Sequence, residues 1–138
     1  MNQYFHDLCV QTDGFSMHLI TRGVEKFVAS SGLSNGLCQL SVLHTSASLL
    51  VQENASSDVQ RDIVRFLNTL APMDVGRYEH DLEGLDDMPA HLKTVLTQTH
   101  LTLSVRDSRL VLGTWQGIFL IEHRTRGSMR RVQLHLVG

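Results

Sequence analysis

The sequence predicts one α+β domain with mainly antiparallel, sandwich-like sheets of about seven strands and about three helices. Three observations carry this expectation. Short runs of alternating apolar and polar residues recur between Gly, Asp or Ser turns, the mark of strands joined largely as hairpins. Three other segments repeat apolar residues at helical spacing. With 138 residues, 42% of them hydrophobic and 19% charged, the chain can bury one core without disulfides, so 1–138 is read as a single domain.

Residues 3–12 read as a strand, Asp13-Gly14 as a turn and 15–21 as a second strand, together an N-terminal hairpin. Ile20, Val24, Phe27 and Val28 form the stripe of a helix of about ten residues, capped by Thr21 and stopped by Gly32. Residues 37–44 and 46–52 make an apolar run broken at His44-Thr45-Ser46, which suits a buried strand, bent or bulged there. Ser56 and Ser57 open the strongest helix, with Val59, Ile63, Phe66, Leu67 and Leu70 on one face. From Ala71 to Met88 periodicity ceases in a polar connection that holds six carboxylates and His80. Loops this long inside a small domain commonly serve function. Pro89 fits a first helical residue behind Asp86 and Asp87, which puts His91 in the first turn and Leu92, Val95 and Leu96 on the following ones. The remainder is β: 100–106, 109–112, 116–124 and 129–137, separated by Asp107-Ser108, Gly113 and Gly127-Ser128.

Charge narrows the partners. Twelve basic against fourteen acidic residues leave a formal charge of −2, which disfavours nucleic acid because phosphate binding needs a positive field. No apolar stretch approaches the roughly 18 residues of a membrane helix, and the opening MNQYFHDLCVQTDGF lacks a basic then apolar leader pattern. A cytoplasmic protein without a membrane partner is expected. Cys9 and Cys38 lie in alternating apolar runs without metal or redox spacing and read as two buried, reduced thiols.

Eight histidines stand out. Imidazoles from a strand end, a loop and a helix start can converge on one metal ion, because ligation needs geometry and not short spacing. His44, His80 and His91 are the candidates; a structural, hydrogen-bonded histidine is the alternative for each. The carboxylates Glu53, Asp58, Glu79, Asp81, Glu83, Asp86 and Asp87 bracket the same segments, as general bases, Mg²⁺ ligands or solvated helix-capping groups. Thr45 and Ser46 offer hydroxyls to a ligand oxygen. Gly113-Thr114-Trp115-Gln116-Gly117 presents a stacking ring beside an amide, or forms a plain hairpin corner. Arg124, Arg126, Arg130 and Arg131 crowd around Gly127, where guanidinium forks suit a phosphate or merely protect a sheet edge. Alternation lets only one of Arg130 and Arg131 face a pocket.

HTSASLLVQENASSDVQRD, YEHDLEGLDDMPAHLK and LGTWQGIFLIEHR, in this order, resemble the YjbQ family, also called the secondary thiamine-phosphate synthase family. The resemblance spans nearly the whole chain. It implies a small α+β fold assembled as a homotrimer with a site near subunit boundaries, and weak joining of a pyrimidine diphosphate to a thiazole phosphate with release of pyrophosphate. By position it implies a three-histidine metal site of His44, His80 and His91, and it matches Glu53-Asn54, Glu83, Trp115-Gln116, Glu122 and Arg130 to family positions. His123, in a stretch that varies among relatives, is a weaker candidate.

Under that reading Glu53 or Glu83 supplies acid or base, Trp115 and Gln116 hold the ring, Arg130 and the metal neutralise phosphate, and Thr45, Ser46 and Asn54 bind ligand. Imidazoles suit Zn²⁺, Ni²⁺, Cu²⁺ or Fe²⁺; Zn²⁺ is favoured, with Mg²⁺ the ion a diphosphate would bring. Two other functions fit the same residues: a metal-dependent phosphoester hydrolase, and a non-catalytic trimer that binds a metal or a small phosphorylated or heterocyclic metabolite.

Overall fold

A computed structural model describes residues 1–138 and arranges eight strands in two antiparallel sheets with three helices. The larger sheet runs β1 (Gln3–Gln11), β8 (Met129–Val137), β3 (Gly36–Val42), β5 (His100–Arg106), β6 (Arg109–Leu110). The smaller runs β2 (Ser16–Leu19), β7 (Gln116–Glu122), β4 (Ala47–Glu53). Helices α1 (Thr21–Ser31), α2 (Ser57–Leu70) and α3 (Asp87–Leu96) complete the fold. None is long and apolar enough to cross a membrane.

The core lies between the sheets. Cys38, Leu40, Leu134 and Leu136 of the larger sheet share it with Leu49, Ile118 and Leu120 of the smaller, all without solvent exposure. Helix α1 adds Val24 and Val28 and touches both β1 and β6, so it lies across the inner face of the larger sheet. Strand β7 is buried on both faces, which explains its unbroken apolar run: Ile118 and Leu120 enter this core, while Ile121 lies beside Leu67 of α2 and Lys93 of α3.

Several sequence expectations need correction. The N-terminal hairpin does not form; β1 pairs with β8 and β2 with β7, so the chain changes sheets at Asp13-Gly14. The run broken at His44-Thr45-Ser46 is two strands in different sheets, β3 and β4. Helix α3 begins at Asp87, so His91 is its fifth residue, and it buries Asp87, Pro89, Ala90 and Lys93 while Val95 and Leu96 stay exposed. On α2 only Leu67 is buried, with Phe66 and Leu70 exposed. Periodicity located these apolar stripes, but it cannot say which stripe a sheet has room to cover. Cys9 is exposed and Cys38 buried, the latter thiol pushed up to about 11 by burial. Thr21 does not cap α1; its Oγ1 accepts the Ile118 N–H at 2.8 Å. Gly32 ends α1 as expected, left-handed at φ 72°.

One topological fact positions the site. The chain passes between sheets at 12–15, 43–46 and 123–128, and all three passages meet at the same end of the sandwich. Thr12 N–H donates to Ser128 O at 2.9 Å, Phe15 N–H to Arg124 O at 2.9 Å and His123 N–H to Ser46 O at 3.2 Å. Glycine permits this closeness: a Cβ on Gly127 would stand 1.7 Å from Thr12 O, and one on Gly14 1.9 Å from Thr125 O.

Candidate metal centre

At that end the long connection 71–86 returns to the sandwich and α3 begins. Tyr78 Oη donates to Pro72 O at 2.8 Å, folding the loop back on itself ahead of His80. Asp86 is the anchor: Arg124 Nε donates to it at 2.9 Å, Thr125 N–H at 2.8 Å and Thr125 Oγ1 at 3.0 Å. Burial alone would raise this carboxyl, but those donors outweigh it and hold it down at about 2.

His80, Glu83, Asp87 and His91 converge, each offering one donor atom, with all four atoms within 4.8 Å of one another. Asp87 is central and 2% exposed. Its Oδ2 lies 2.7 Å from His80 Nε2 and 3.1 Å from His91 Nε2, while its Oδ1 accepts from Arg124 Nη1 at 2.7 Å. Glu83 Oε2 stands 3.6 Å from His80 Nε2. The helix supplies the Asp87 and His91 pair, because residues four apart share a face. Burial works to raise the Asp87 carboxyl, yet the hydrogen bond from His80 and the charge of Arg124 hold it below the usual carboxylate range.

The protonation of His91 is dictated by its other nitrogen. Nδ1 lies 2.9 Å from Thr45 O, a carbonyl that can only accept, so Nδ1 carries the proton and donates. In the neutral ring Nε2 then bears a lone pair and faces a carboxylate oxygen. Two acceptors in that contact require a proton or a metal cation between them. A histidine that donates its remote N–H to a backbone carbonyl is also the usual support of a metal ligand. The residues present therefore fit a metal ion held by His80, His91, Asp87 and Glu83.

The other predicted residues divide into near and distant sets. His44 is outside the four-residue group; its Nε2 accepts the Arg131 N–H at 2.8 Å. Burial first, then the charge of Arg130, lowers its pKa. Thr45 contributes its carbonyl. Ser46 Oγ accepts from Arg130 Nη2 at 2.9 Å. Arg130 is turned inward and Arg131 outward, as alternation requires. Arg130 grips the buried Glu122, its Nε donating to Oε1 at 2.7 Å, and Thr12 Oγ1 donates to the same oxygen at 2.6 Å. Burial opposes the Glu122 charge, and these donors restore it, leaving the carboxyl below its ordinary value. His123 is buried at 1% exposure, hydrogen-bonded to Ser48 Oγ at 2.8 Å, and burial followed by the charge of Lys93 pushes it down to about 3. A polar cleft of about 440 Å³, lined by Ser46, Glu83, Asp86, Arg124, Arg126 and Arg130 among others, opens beside the centre.

Glu53, Asn54, Trp115 and Gln116 lie at the opposite end of the smaller sheet. Glu53 pairs with Gln116 and Ala47 with Glu122, so six residue steps separate the two ends, about 20 Å. Gln116 Oε1 accepts the Gly113 N–H at 2.7 Å and closes its own turn, and Trp115 is 65% exposed. Asp87 is the residue that sequence reasoning undervalued, reading it as one carboxylate among seven. The Asp87-x-x-x-His91 spacing within a helix was the available signal.

Comparison with known proteins agrees with this architecture. The family model described as UPF0047 protein YjbQ-like matches residues 6–138. The chain is 46% identical to UPF0047 protein sll1880 of Synechocystis sp., over 99% of this chain and 92% of that one. It is 44% identical to UPF0047 protein YjbQ of Escherichia coli, over 95% and 94%. Among solved structures, a YbjQ-like protein of unknown function from Sulfolobus solfataricus superimposes with a TM-score of 0.90 at 29% identity, covering 99% and 98% of the two chains. A YjbQ/UPF0047 family protein from Clostridium acetobutylicum gives 0.88 at 33% identity, covering 96% and 99%. With a match over nearly its full length and the same two-sheet fold, this chain belongs to the YjbQ/UPF0047 family.

Proposed function

We propose that this protein is a metal-dependent enzyme acting on a small phosphorylated substrate in the cytoplasm, with thiamine-phosphate synthase-like joining as the specific reaction to test first. The observation that carries the reading is the contact of His91 Nε2 with Asp87 Oδ2, completed by His80 and Glu83. Two imidazoles with two carboxylates suit Zn²⁺ as the first ion to load. A bound divalent ion would supply Lewis-acid stabilisation of charge on a phosphate leaving group. The chain's own groups do the rest. Arg126 and the Arg130 Nη1, which makes no hydrogen bond within the chain, offer donors to phosphate oxygens in the cleft. Glu83, exposed at the edge of the centre, either completes the ligands of the ion or, unligated, is the nearest acid or base.

A homotrimer belongs to the same proposal. Trp115, Gln116, Glu53 and Asn54 are too far from the centre along β7 to meet a small substrate there within one chain, so a second copy would have to bring them. The uncovered Phe66 and Leu70 of α2 offer apolar surface for such a contact. Sedimentation of the wild-type protein beside a Phe66→Glu/Leu70→Glu variant tests it: a trimer dissociated by the variant is expected, and a wild-type monomer ends it.

Elemental mass spectrometry on untagged protein purified without chelator tests the metal. About one ion per chain is expected in the wild type, and far less in His91→Ala with its circular dichroism unchanged. Metal-free protein that stays so after reconstitution would overturn the reading. With metal loaded, pyrophosphate release from paired pyrimidine diphosphate and thiazole phosphate indicates joining. Phosphate release from a single ester indicates hydrolysis, and tight binding without turnover indicates a binding module.

A further inference from the structure

His44 and His91 flank the same residue, Thr45, yet their rings sit in opposite hydrogen-bond settings. His91 Nδ1 meets a carbonyl, Thr45 O, and must donate, which frees Nε2 to ligate. His44 Nε2 meets a backbone donor, the Arg131 N–H at 2.8 Å, and must accept. The neutral His44 ring therefore carries its proton on Nδ1 and has already spent its lone pair.

No alternative setting of the His44 ring restores a ligand. Ligation through Nδ1 would place a proton on Nε2 against the Arg131 N–H, setting two donors face to face. Turning the ring over would put Cε1 where Nε2 now stands and leave that N–H without an acceptor. The segment is also held from its backbone, since Leu43 N–H donates to Arg131 O at 3.1 Å. We infer that His44 is a neutral hydrogen-bond donor to an oxyanion of the ligand and not a third imidazole on the metal.

The surroundings specify the ligand chemistry. His44 Nδ1 has no hydrogen-bond partner within the chain, and the charges acting on the ring are those of Arg130, Glu122 and Arg131, with Glu122 itself already paired to Arg130. Two residues on, Ser46 lines the cleft together with Arg124, Arg126 and Arg130. Arg124 commits four of its five N–H groups to Asp86, Asp87 and the Glu83 carbonyl. Arg130 retains Nη1, and Arg126 makes no ion pair. These remaining donors, with a neutral imidazole N–H, suit a phosphoryl group. Burial and the arginines outweigh the opposing charge of Glu122 and disfavour imidazolium at His44, so it keeps a single donor proton, a state that serves a charge developing on oxygen without giving the proton away. This inference rests on the metal reading only for the identity of the neighbouring centre.

Nuclear magnetic resonance of the full-length protein with isotope-labelled histidine nitrogens separates the two. In metal-free protein at neutral pH, His44 is expected as the neutral Nδ1–H form. Adding Zn²⁺ should move the Nε2 signals of His80 and His91 and leave the His44 Nδ1 proton in place. Inorganic phosphate should then shift the His44 Nδ1–H, and its affinity for the Zn²⁺-loaded protein should fall between about ten- and a hundredfold in His44→Ala with metal content unchanged. Loss of the His44 Nδ1 proton on Zn²⁺ addition, or loss of metal in His44→Ala, would overturn the inference. So would phosphate binding that is indifferent to His44→Ala, the result a purely structural ring would produce. If no histidine responds to Zn²⁺, the metal reading fails, and the His44 tautomer and phosphate response still decide the donor role.

Discussion

Single side chains at this end of the sandwich do unequal work. Arg130 of β8 and Glu122 of β7 belong to different sheets, and their buried ion pair ties the sheets together where the chain crosses between them. Glu122→Gln leaves the guanidinium buried without its counter-charge, and a loss of about 3–5 kcal/mol is expected in urea unfolding. A change within 1 kcal/mol would show that Ser46 and water suffice. Lys93 is the opposite case, a cation at 2% exposure whose ammonium meets Asn68 Oδ1 and the Phe15 ring, 4.5 Å to its centroid, with no carboxylate in contact. Burial pushes it down to about 8 from an ordinary 10.5. The unfolded chain holds the extra proton between those values, so stability rises as pH increases through that window. Lys93→Met should abolish the rise and unfold at no lower denaturant concentration at neutral pH. Chemical denaturation at several alkaline pH values reads both effects.

At the scale of elements, the passages between sheets matter more than the strands they join. Strands β3 and β4 end and begin on either side of His44-Thr45-Ser46, and this break delivers a carbonyl to His91 and a hydroxyl to Arg130. The crossing at 123–128 has no slack. Gly127→Ala would drive a Cβ into the Thr12 carbonyl, and a cost of about 1–3 kcal/mol is expected from displaced backbone. Because Thr12 also donates to Glu122, the same substitution should loosen the ion pair and raise hydrogen exchange at the Thr12 and Ser128 amides above that of β3. Unchanged melting with unchanged exchange would refute this coupling. Helix α3 shows how an element can carry site and scaffold together: Ala90 and Lys93 pack inward, and Asp87 and His91 share the turn that faces the loop.

For the whole molecule, acid is the stress its buried groups predict. His123 is held at about 3 against an ordinary 6.5, so the unfolded chain takes up a proton in that interval and stability falls as pH drops through it. Asp86, held at about 2 against 3.8, adds a second loss at still lower pH. Thermal unfolding followed from neutral pH downward should therefore decline progressively, with His44, Glu122 and Asp87 adding to the loss, and His123→Gln should lessen the decline between pH values of about 6.5 and 3. The same decline in His123→Gln as in the wild type would mean that His123 is solvated in solution. The centre should shift this profile when loaded, since an ion bound only by the folded state raises the melting temperature in proportion to its affinity.

Local chemistry made much of this legible in advance. The alternation of 100–106 and 129–137, the stripe of α1 with its Gly32 stop, and the inward Arg130 beside an outward Arg131 all follow from side-chain period, which neighbours in sequence determine. His80 and His91 were recognisable as residue types suited to a metal. Pairing was not legible, because β1 and β2 can form a hairpin or join two sheets with the same alternation, and only the competition for β7 and β8 decides. For the same reason the centre's make-up belonged to the tertiary structure. Whether an imidazole is a ligand or a donor depends on which backbone group meets its second nitrogen, and Thr45 and Arg131 reach His91 and His44 across 46 and 87 residues of chain.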